Sequence, residues 1–168
     1  MSKPSRIAQA IEGKVEEEVN RLLKYEYIVP STSTWLNKAR LVIKSNGSIS
    51  LTANFMELNS HVLLDKYSLP DMMEMLYKLN DKIYKTKIDL KDGFYQIPLN
   101  PKDRYKTAFG IKNRLFEWTK MPMGFKNSPA VFQRFMDQVL GDEIGKSCFV
   151  YVDDILIFGQ TERNMMRQ

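Results

Sequence analysis

The chain has 168 residues, 43% of them hydrophobic and 27% charged, which is enough for one buried core with or without a small attached lobe. Its longest strongly apolar runs, 148–152 and 155–158, are too short to span a bilayer, and no apolar run follows Lys3 and Arg6, so we expect neither a membrane span nor a signal peptide. One cysteine and one histidine exclude an internal disulfide and the usual zinc site.

The net charge and the available metal ligands limit which binding partners and which metal the chain is expected to use. A net charge of +5 suits a polyanion, although the basic residues are spread along the chain and charge alone selects no partner. Any catalytic metal would have to sit on carboxylates, which favours a hard cation such as Mg²⁺. The single Cys148 favours a reducing, intracellular compartment, and we expect the cytoplasm rather than the nucleus.

The first third of the chain predicts a helix followed by a hairpin. Apolar residues recur at three- and four-residue steps, which is typical of an amphipathic helix that ends before Pro30: Ile7, Ile11, Val15, Val19, Leu22 and Leu23. A Ser/Thr-rich loop is expected over 30–37. Segments 40–44 and 48–54 flank Asn46-Gly47, the strongest short hairpin signal, so a β-hairpin is expected there.

The middle of the chain predicts a second helix and a strand. Ser68 as a cap, Pro70 and Asp71 mark a helix start, with a buried stripe formed by Met72, Met73, Leu76 and Leu79. From 83 to 90 the period changes to two. Tyr84, Thr86, Ile88 and Leu90 share one face of that strand, and Lys85, Lys87 and Asp89 share the other.

The last third predicts a hairpin, a helix and a second hairpin. Segments 105–111 and 115–119 form the first hairpin, which turns at 112–114. Ser128-Pro129 opens a helix whose inner side carries Val131, Phe135, Met136, Val139 and Leu140. Two short apolar runs, 148–152 and 155–158, are joined by Asp153-Asp154 as strand, tight turn and strand. Helices mixed with largely antiparallel strands predict an α+β protein.

The pair Asp153-Asp154 is the first candidate for chemistry. Two adjacent carboxylates at the tip of an apolar hairpin lose solvation and repel each other by about 1 kcal/mol at contact distance in water. A divalent cation would offset both costs. The alternative is a solvated turn, since Asp favours turns. Asp89 favours the metal site, because it ends a strand and projects from the face opposite the apolar stripe, as a two-metal phosphoryl-transfer site requires.

A series of motifs then identifies a family resemblance. In chain order they are 57–59 (ELN), 67–70 (YSLP), 89–97 (DLKDGFYQI), 106–109 (KTAF), 121–125 (MPMGF), 128–129 (SP), 132–133 (FQ) and 151–154 (YVDD). Together they resemble the reverse transcriptases of long-terminal-repeat retrotransposons, above all the gypsy type, over about residues 15–158. The resemblance implies a right-hand polymerase with fingers over 1–82 and 98–120, and a palm over 83–97 and 121–168. It also implies an antiparallel palm sheet backed by helices.

The resemblance also implies roles for individual residues. Asp89 and Asp153, with the Leu90 backbone, would bind two Mg²⁺ ions, for which Mn²⁺ can substitute, and Asp154 would support them. The stretch Lys91, Asp92 and Gly93 would hold the nucleotide triphosphate, and Phe94 would exclude a 2′-hydroxyl, although an ordinary core role for its ring stays open. The remaining implied positions are Lys44 and Met123 for the nucleotide, and Gly124, Ser128, Pro129 and Tyr151 for template and primer. For Lys44, a solvated lysine of the hairpin stays open as the alternative.

Several positions depart from the family pattern. Ser50 stands where a triphosphate-binding arginine is expected, Asn54 where an aspartate is expected, and Met56 where an arginine is expected. Each lost guanidinium contact weakens nucleotide binding by about 1.5–3 kcal/mol. We also expect no thumb, connection or ribonuclease H segment after Phe158.

Three functions follow from this pattern. The first is an RNA-directed DNA polymerase that uses an RNA or DNA template, a primer, deoxynucleoside triphosphates and Mg²⁺. The second is a domesticated, catalytically inactive module that binds RNA or a protein or ribonucleoprotein partner, which Ser50 and Met56 favour. The third is another palm-fold enzyme such as a nucleotide cyclase, and it is ranked last because segment 121–133 matches reverse transcriptases.

Overall fold

The structure is a computed structural model that describes residues 11–160. The helices of the described residues are α1 (Glu12–Lys24), α2 (Met56–His61), α3 (Met72–Leu79) and α4 (Ser128–Leu140). The strands are β1 (Ile28–Pro30), β2 (Asn37–Ile43), β3 (Ile49–Asn54), β4 (Tyr84–Asp89), β5 (Phe109–Ile111), β6 (Arg114–Trp118), β7 (Cys148–Tyr151) and β8 (Asp154–Gly159). No helix over residues 11–160 is long and apolar enough to cross a membrane.

The chain divides into two compact units. Unit 1 contains residues 11–63 and Phe94–Ser128 among those described, and unit 2 contains Leu64–Gly93 and 129–160. Each unit has its own sheet, with strand order β1-β6-β5-β2-β3 in unit 1 and β4-β8-β7 in unit 2. All pairings are antiparallel except that of β2 with β5, so the predicted α+β class with mainly antiparallel strands is confirmed.

The core of unit 1 forms between α1 and the five-stranded sheet. The predicted periodicity of α1 is confirmed, because Val15, Val19 and Leu22 are buried and Ile11 and Leu23 pack beside them. Ile7 lies outside the described residues. Phe109 and Trp118, both fully buried, are among the largest side chains of this core and supply much of its apolar area.

The predicted hairpin around Asn46-Gly47 is confirmed as β2 and β3. Its register pairs Ile43 with Ile49, and Gly47 occupies the turn at φ +76, a conformation that glycine adopts without a steric penalty. The expected loop over 30–37 is shorter than predicted, because β1 ends at Pro30 and β2 begins at Asn37. The strand β1 was not predicted, because three residues are too few to show a period-two pattern.

Segment 105–108 is not a strand, contrary to the predicted hairpin arm. Residues Arg104–Thr107 form a 3₁₀ helix, and β5 begins only at Phe109. The Thr107 hydroxyl explains the difference: it donates to the Arg104 carbonyl at 2.6 Å and accepts from the Trp118 amide at 3.0 Å. A side chain therefore satisfies the backbone group that a longer strand would have paired.

The sheet of unit 2 carries β4 at one edge. All six residues of β4 are exposed, so the strand was predicted correctly but its apolar face, including Tyr84 and Ile88, is not buried in the described part of the chain. On β7 and β8, Phe149 and Phe158 pack with Leu79 of α3, which ties that helix to the sheet. The predicted antiparallel sheet with helices against it is present in this unit.

The start and the buried face of α3 differ from the prediction. Asp71, not Ser68, caps the helix, since its carboxylate accepts the amides of Met73 at 2.8 Å and Glu74 at 3.4 Å. The predicted stripe is wrong at three of its four positions, because Met72, Met73 and Leu76 are 50%, 73% and 55% exposed. The face that meets the sheet is set instead by Met75 and Leu79, four residues apart.

The buried face of α4 is also rotated from the predicted one. The helix begins at Ser128 as predicted, but Phe135 and Val139 are 38% and 60% exposed. Its buried residues beyond the first turn are Phe132, Gln133 and Met136. Gln133 is polar and so does not contribute to an apolar period, but its side chain is fully buried and shifts the buried face by about one position.

Candidate active site

The three aspartates predicted to bind metal lie at one end of the sheet of unit 2. β4 ends at Asp89 and β8 begins at Asp154, and the two residues are partners in the antiparallel register. Asp153 lies in the turn between β7 and β8, where its carbonyl accepts the Leu90 amide at 3.4 Å. Tyr151, the last residue of β7, pairs with Asp154 on the other side. The fold therefore brings together Asp89 and Asp154, which are 65 residues apart in the sequence.

Lys87, which was not predicted as a site residue, forms an ion pair with one of the three aspartates. Lys87 Nζ lies 2.9 Å from Asp154 Oδ1. This hydrogen bond is the main cause that raises the pKa of Lys87, and the charges of Asp89 and Asp153 add to it. The alternation of Lys85, Lys87 and Asp89 on one strand face was the available signal, because it placed Lys87 beside the acidic end.

The donors at this end suit a hard divalent cation. Carboxylate oxygens and a backbone carbonyl are the ligands that Mg²⁺ prefers. The Leu90 carbonyl accepts the Gly93 amide at 3.1 Å and keeps a second lone pair. Within residues 11–160, however, no three carboxylate, imidazole or thiol groups converge closely enough to enclose an ion. Asp154 is paired with Lys87 instead, which relieves part of the repulsion among the carboxylates.

The turn after β4 is tightly constrained. Asp92 has φ +55, in the left-handed region that Asp tolerates better than most residues. A Cβ at Gly93 would lie 3.1 Å from a ring carbon of Phe132 and 3.2 Å from the Leu90 Cβ, so glycine lets these groups approach. Lys91 is exposed beside them. The turn thus presents a closely packed backbone next to Asp89, at the segment predicted to hold the nucleotide triphosphate.

The other predicted nucleotide positions lie in unit 1. Lys44 is exposed in the β2–β3 turn, where its amide donates to the Ser48 carbonyl at 2.9 Å. Phe94 is half-buried, and its carbonyl accepts the Ile97 amide. Met123 is 45% exposed, and its carbonyl accepts the Thr52 hydroxyl at 3.0 Å.

The predicted template and primer positions differ in accessibility. Gly124 adopts φ +87, and its carbonyl accepts the Asn59 amide group at 2.9 Å. Ser128 is 2% exposed, and its hydroxyl donates to the Pro122 carbonyl, so this side chain is committed within the fold. Pro129 and Tyr151 are half-buried in unit 2.

The three departures from the family pattern fall on β3 and its junction with α2. Ser50 is half-buried opposite Val42. The Asn54 side chain accepts the Met56 amide at 3.0 Å, which stabilises the start of α2. Met56 is 73% exposed, so nothing in the fold prevents a long basic side chain at that position.

Carboxylates at the end of an antiparallel sheet, with a second sheet-bearing unit in the same chain, are the arrangement expected for the fingers and palm of a polymerase. The family described as "Reverse transcriptase (RNA-dependent DNA polymerase)" matches residues 26–168. The chain therefore belongs to the reverse transcriptase family, as its motifs predicted.

Relatives and solved structures agree with this assignment. The Pol polyproteins of the Drosophila melanogaster transposons opus and gypsy are 38% and 36% identical over 153 and 159 residues, covering 88% and 91% of this chain. The prototype foamy virus protease–reverse transcriptase superposes with a TM-score of 0.88 at 26% identity over 99% of this chain. A foamy viral protease–reverse transcriptase in complex with an RNA/DNA hybrid superposes with a TM-score of 0.87, also at 26% identity. The chain spans 15% of the fly polyproteins and 22% of these foamy virus chains.

Proposed function

We propose that the chain is the fingers-and-palm portion of an RNA-directed DNA polymerase from a retrotransposon polyprotein. The observation that carries the proposal is the register pairing of Asp89 with Asp154, with Asp153 in the adjoining turn. Asp89, Asp153 and the Leu90 carbonyl would hold two Mg²⁺ ions, or Mn²⁺ in their place, and Asp154 would support them. When bound, such ions activate the attacking hydroxyl and stabilise charge on the phosphoryl group.

Residues of the chain would position the nucleotide and the nucleic acid. The backbone of 91–93 and the Lys44 ammonium would bind triphosphate oxygens. Phe94 would lie under the sugar and exclude a 2′-hydroxyl, with Met123 beside it. Gly124 and the start of α4 at Ser128-Pro129 would support the template through backbone shape, since the Ser128 hydroxyl is already bonded to Pro122.

The assignment of fingers to 1–82 and 98–120, and of palm to 83–97 and 121–168, is part of this proposal. The division of the chain into unit 1 and unit 2 supports a two-part organisation, but the units divide near residues 63, 93 and 128, and α3, which these bounds assign to the fingers, lies in unit 2. A cytoplasmic location belongs to the same proposal.

Primer extension tests the polymerase function. The chain is incubated with an RNA template, a DNA primer, deoxynucleotides and either Mg²⁺ or Mn²⁺. We expect incorporation by the native chain, its loss in Asp153→Asn, and no change in Asp142→Asn, an exposed aspartate of the same unit. Absence of incorporation by the native chain, even at high Mn²⁺, would exclude polymerase activity for this chain alone.

The second candidate is a catalytically inactive module that binds RNA or a ribonucleoprotein partner. It is favoured by Ser50 and by the exposed Met56, which leave two expected guanidinium positions without positive charge. RNA binding that survives Asp153→Asn, together with no incorporation by the native chain, would select this function over the first.

A further inference from the structure

The turn that carries Asp153 and Asp154 contains a strained residue. Val152 has φ +56, in the left-handed region. A β-branched side chain is a genuine outlier there, and such conformations persist only where the surroundings hold them. Val152 is also buried, with 9% of its surface exposed. Something in unit 2 must therefore hold this backbone in place.

Gln133 of α4 supplies that hold. Its side chain is completely buried, and its Oε1 accepts the Val152 amide at 2.8 Å. Its Nε2 donates to Asp137 Oδ1 at 2.9 Å and to the Val150 carbonyl at 3.3 Å. The Gln133 side-chain amide thus forms hydrogen bonds with the backbone on both sides of Tyr151, in the β7–β8 hairpin whose turn carries the aspartates.

The direction of the Gln133 amide is fixed by its neighbour. An ionised carboxylate can only accept hydrogen bonds, so Asp137 requires the NH₂ end of Gln133 and turns the oxygen towards Val152. Asp137 is anchored in turn by Tyr67, whose hydroxyl donates to Oδ2 at 2.6 Å. The Arg134 guanidinium lies over the Tyr67 ring, 4.7 Å from its centre, and so packs against the residue that anchors Asp137.

We propose that Gln133 is a positioning residue for the aspartate turn: it holds Val152 in the left-handed conformation and so sets the directions of Asp153 and Asp154. The inference rests on the proposed function for its catalytic meaning, because only there do these carboxylates bind metal. Its structural part, the control of the Val152 backbone, is independent of activity.

The test replaces Gln133 by Met, which keeps the side-chain length but can neither donate to Asp137 nor accept strongly from Val152. Three properties of the full chain are measured: hydrogen exchange of the residue-152 amide, the NMR coupling that reports its φ, and Mn²⁺ affinity. In Gln133→Met we expect exchange at least about tenfold faster, a coupling that leaves the left-handed range, and Mn²⁺ affinity lower by about tenfold. Gln138→Met, an exposed glutamine of the same helix, should change none of them.

A rescue separates positioning from general destabilisation. Glycine adopts φ +56 without strain, so Val152→Gly in the Gln133→Met background should restore most of the Mn²⁺ affinity. A left-handed, protected residue 152 in Gln133→Met would overturn the inference, and so would unchanged Mn²⁺ affinity after the turn has moved. If the native chain shows no Mn²⁺ binding that depends on Asp153, the proposed metal site fails instead, and exchange and coupling alone decide the role of Gln133.

Discussion

The ammonium of Lys87 lies on the strand that ends at Asp89 and pairs with Asp154. Both partners are substantially exposed, at 61% and 43% of their side chains, so the pair itself contributes little stability. Its effect is local: it places a positive charge where a divalent cation would need the same carboxylate. Lys87 and the metal should therefore compete.

Replacing Lys87 by Gln should strengthen Mn²⁺ binding by a few-fold at low salt, because a repelling charge is removed and Asp154 is released. The gain should shrink as ionic strength rises, since exposed charges are screened. Titration of Mn²⁺ against the native chain and the variant at two salt concentrations measures it. Lys85→Gln, on the same strand face, is the control, and an equal gain in that variant would show that only net charge matters.

The β2–β3 hairpin of unit 1 gives a prediction at the scale of an element. Gly47→Ala should destabilise the chain by about 1–2 kcal/mol, because φ +76 is left-handed even though the new Cβ would meet Lys14 Nζ only at 3.6 Å. Gly13→Ala in α1, where a Cβ meets nothing within 4 Å, should stabilise by up to about 1 kcal/mol. Urea unfolding measures both, and changes of equal sign would contradict this account.

The contact of Asp65 with α4 predicts a pH dependence. Arg134 Nη2 donates to both Asp65 oxygens at 2.8 Å, and this bond is the main cause that lowers the Asp65 pKa below its ordinary 3.8. A group whose pKa falls on folding stabilises the fold above its unfolded pKa, and that contribution is lost as the pH falls through the folded value. Asp65 therefore stabilises unit 2 near neutral pH and not in acid.

Asp65→Asn should accordingly lower the urea midpoint near neutral pH, and the difference from the native chain should vanish well below pH 3.8. Glu74→Gln is the control, because its partner Lys78 forms a pair that is 56% and 63% exposed, and it should have little effect at any pH. A deficit in Asp65→Asn that persists in acid would assign the effect to packing rather than to charge.

The elements themselves were predictable where the signal is local. The Asn46-Gly47 turn, the α1 periodicity and the start of α4 all depend on neighbours within about seven residues. The buried faces of α3 and α4 could not be predicted in this way, because they depend on which part of the sheet each helix contacts. Burial of the polar Gln133 in particular follows from a backbone amide that lies 19 residues away.

In the candidate site, too, some residues could be predicted from the local sequence and others could not. Asp89, Asp153 and Asp154 could be found because each stands at the end of a strand-like apolar or alternating run, and the family motifs include them. Lys87 and Gln133 act through contacts across strands and between helix and turn. The strand alternation places Lys87 on the same face as Asp89, and Gln133 stands in one of the family motifs, but neither pattern names the partners Asp154 and Val152, which required the folded structure.

At the scale of the whole molecule, the net charge of +5 favours a polyanionic partner, and phosphate contacts would make such binding dependent on salt. If the chain binds an RNA/DNA hybrid, its affinity should fall linearly with salt on a logarithmic plot, because each lysine or arginine on a phosphate releases a counterion. Asp153→Asn should leave this binding intact, since the carboxylate makes no attractive contact with phosphate in the absence of metal.

Lys44 offers the sharpest version of this prediction. It is exposed at the tip of the β2–β3 hairpin, and if it contacts one phosphate, Lys44→Gln should reduce the salt slope by about one, the value of a single contact on duplex. Fluorescence anisotropy of a labelled hybrid at four or more salt concentrations gives the slope. Lys78→Gln, which removes an equal charge already paired with Glu74 at 2.6 Å, should leave it unchanged. An equal reduction of the slope in both variants would show that the hybrid responds to net charge, and a native slope in Lys44→Gln would exclude a phosphate contact at the hairpin.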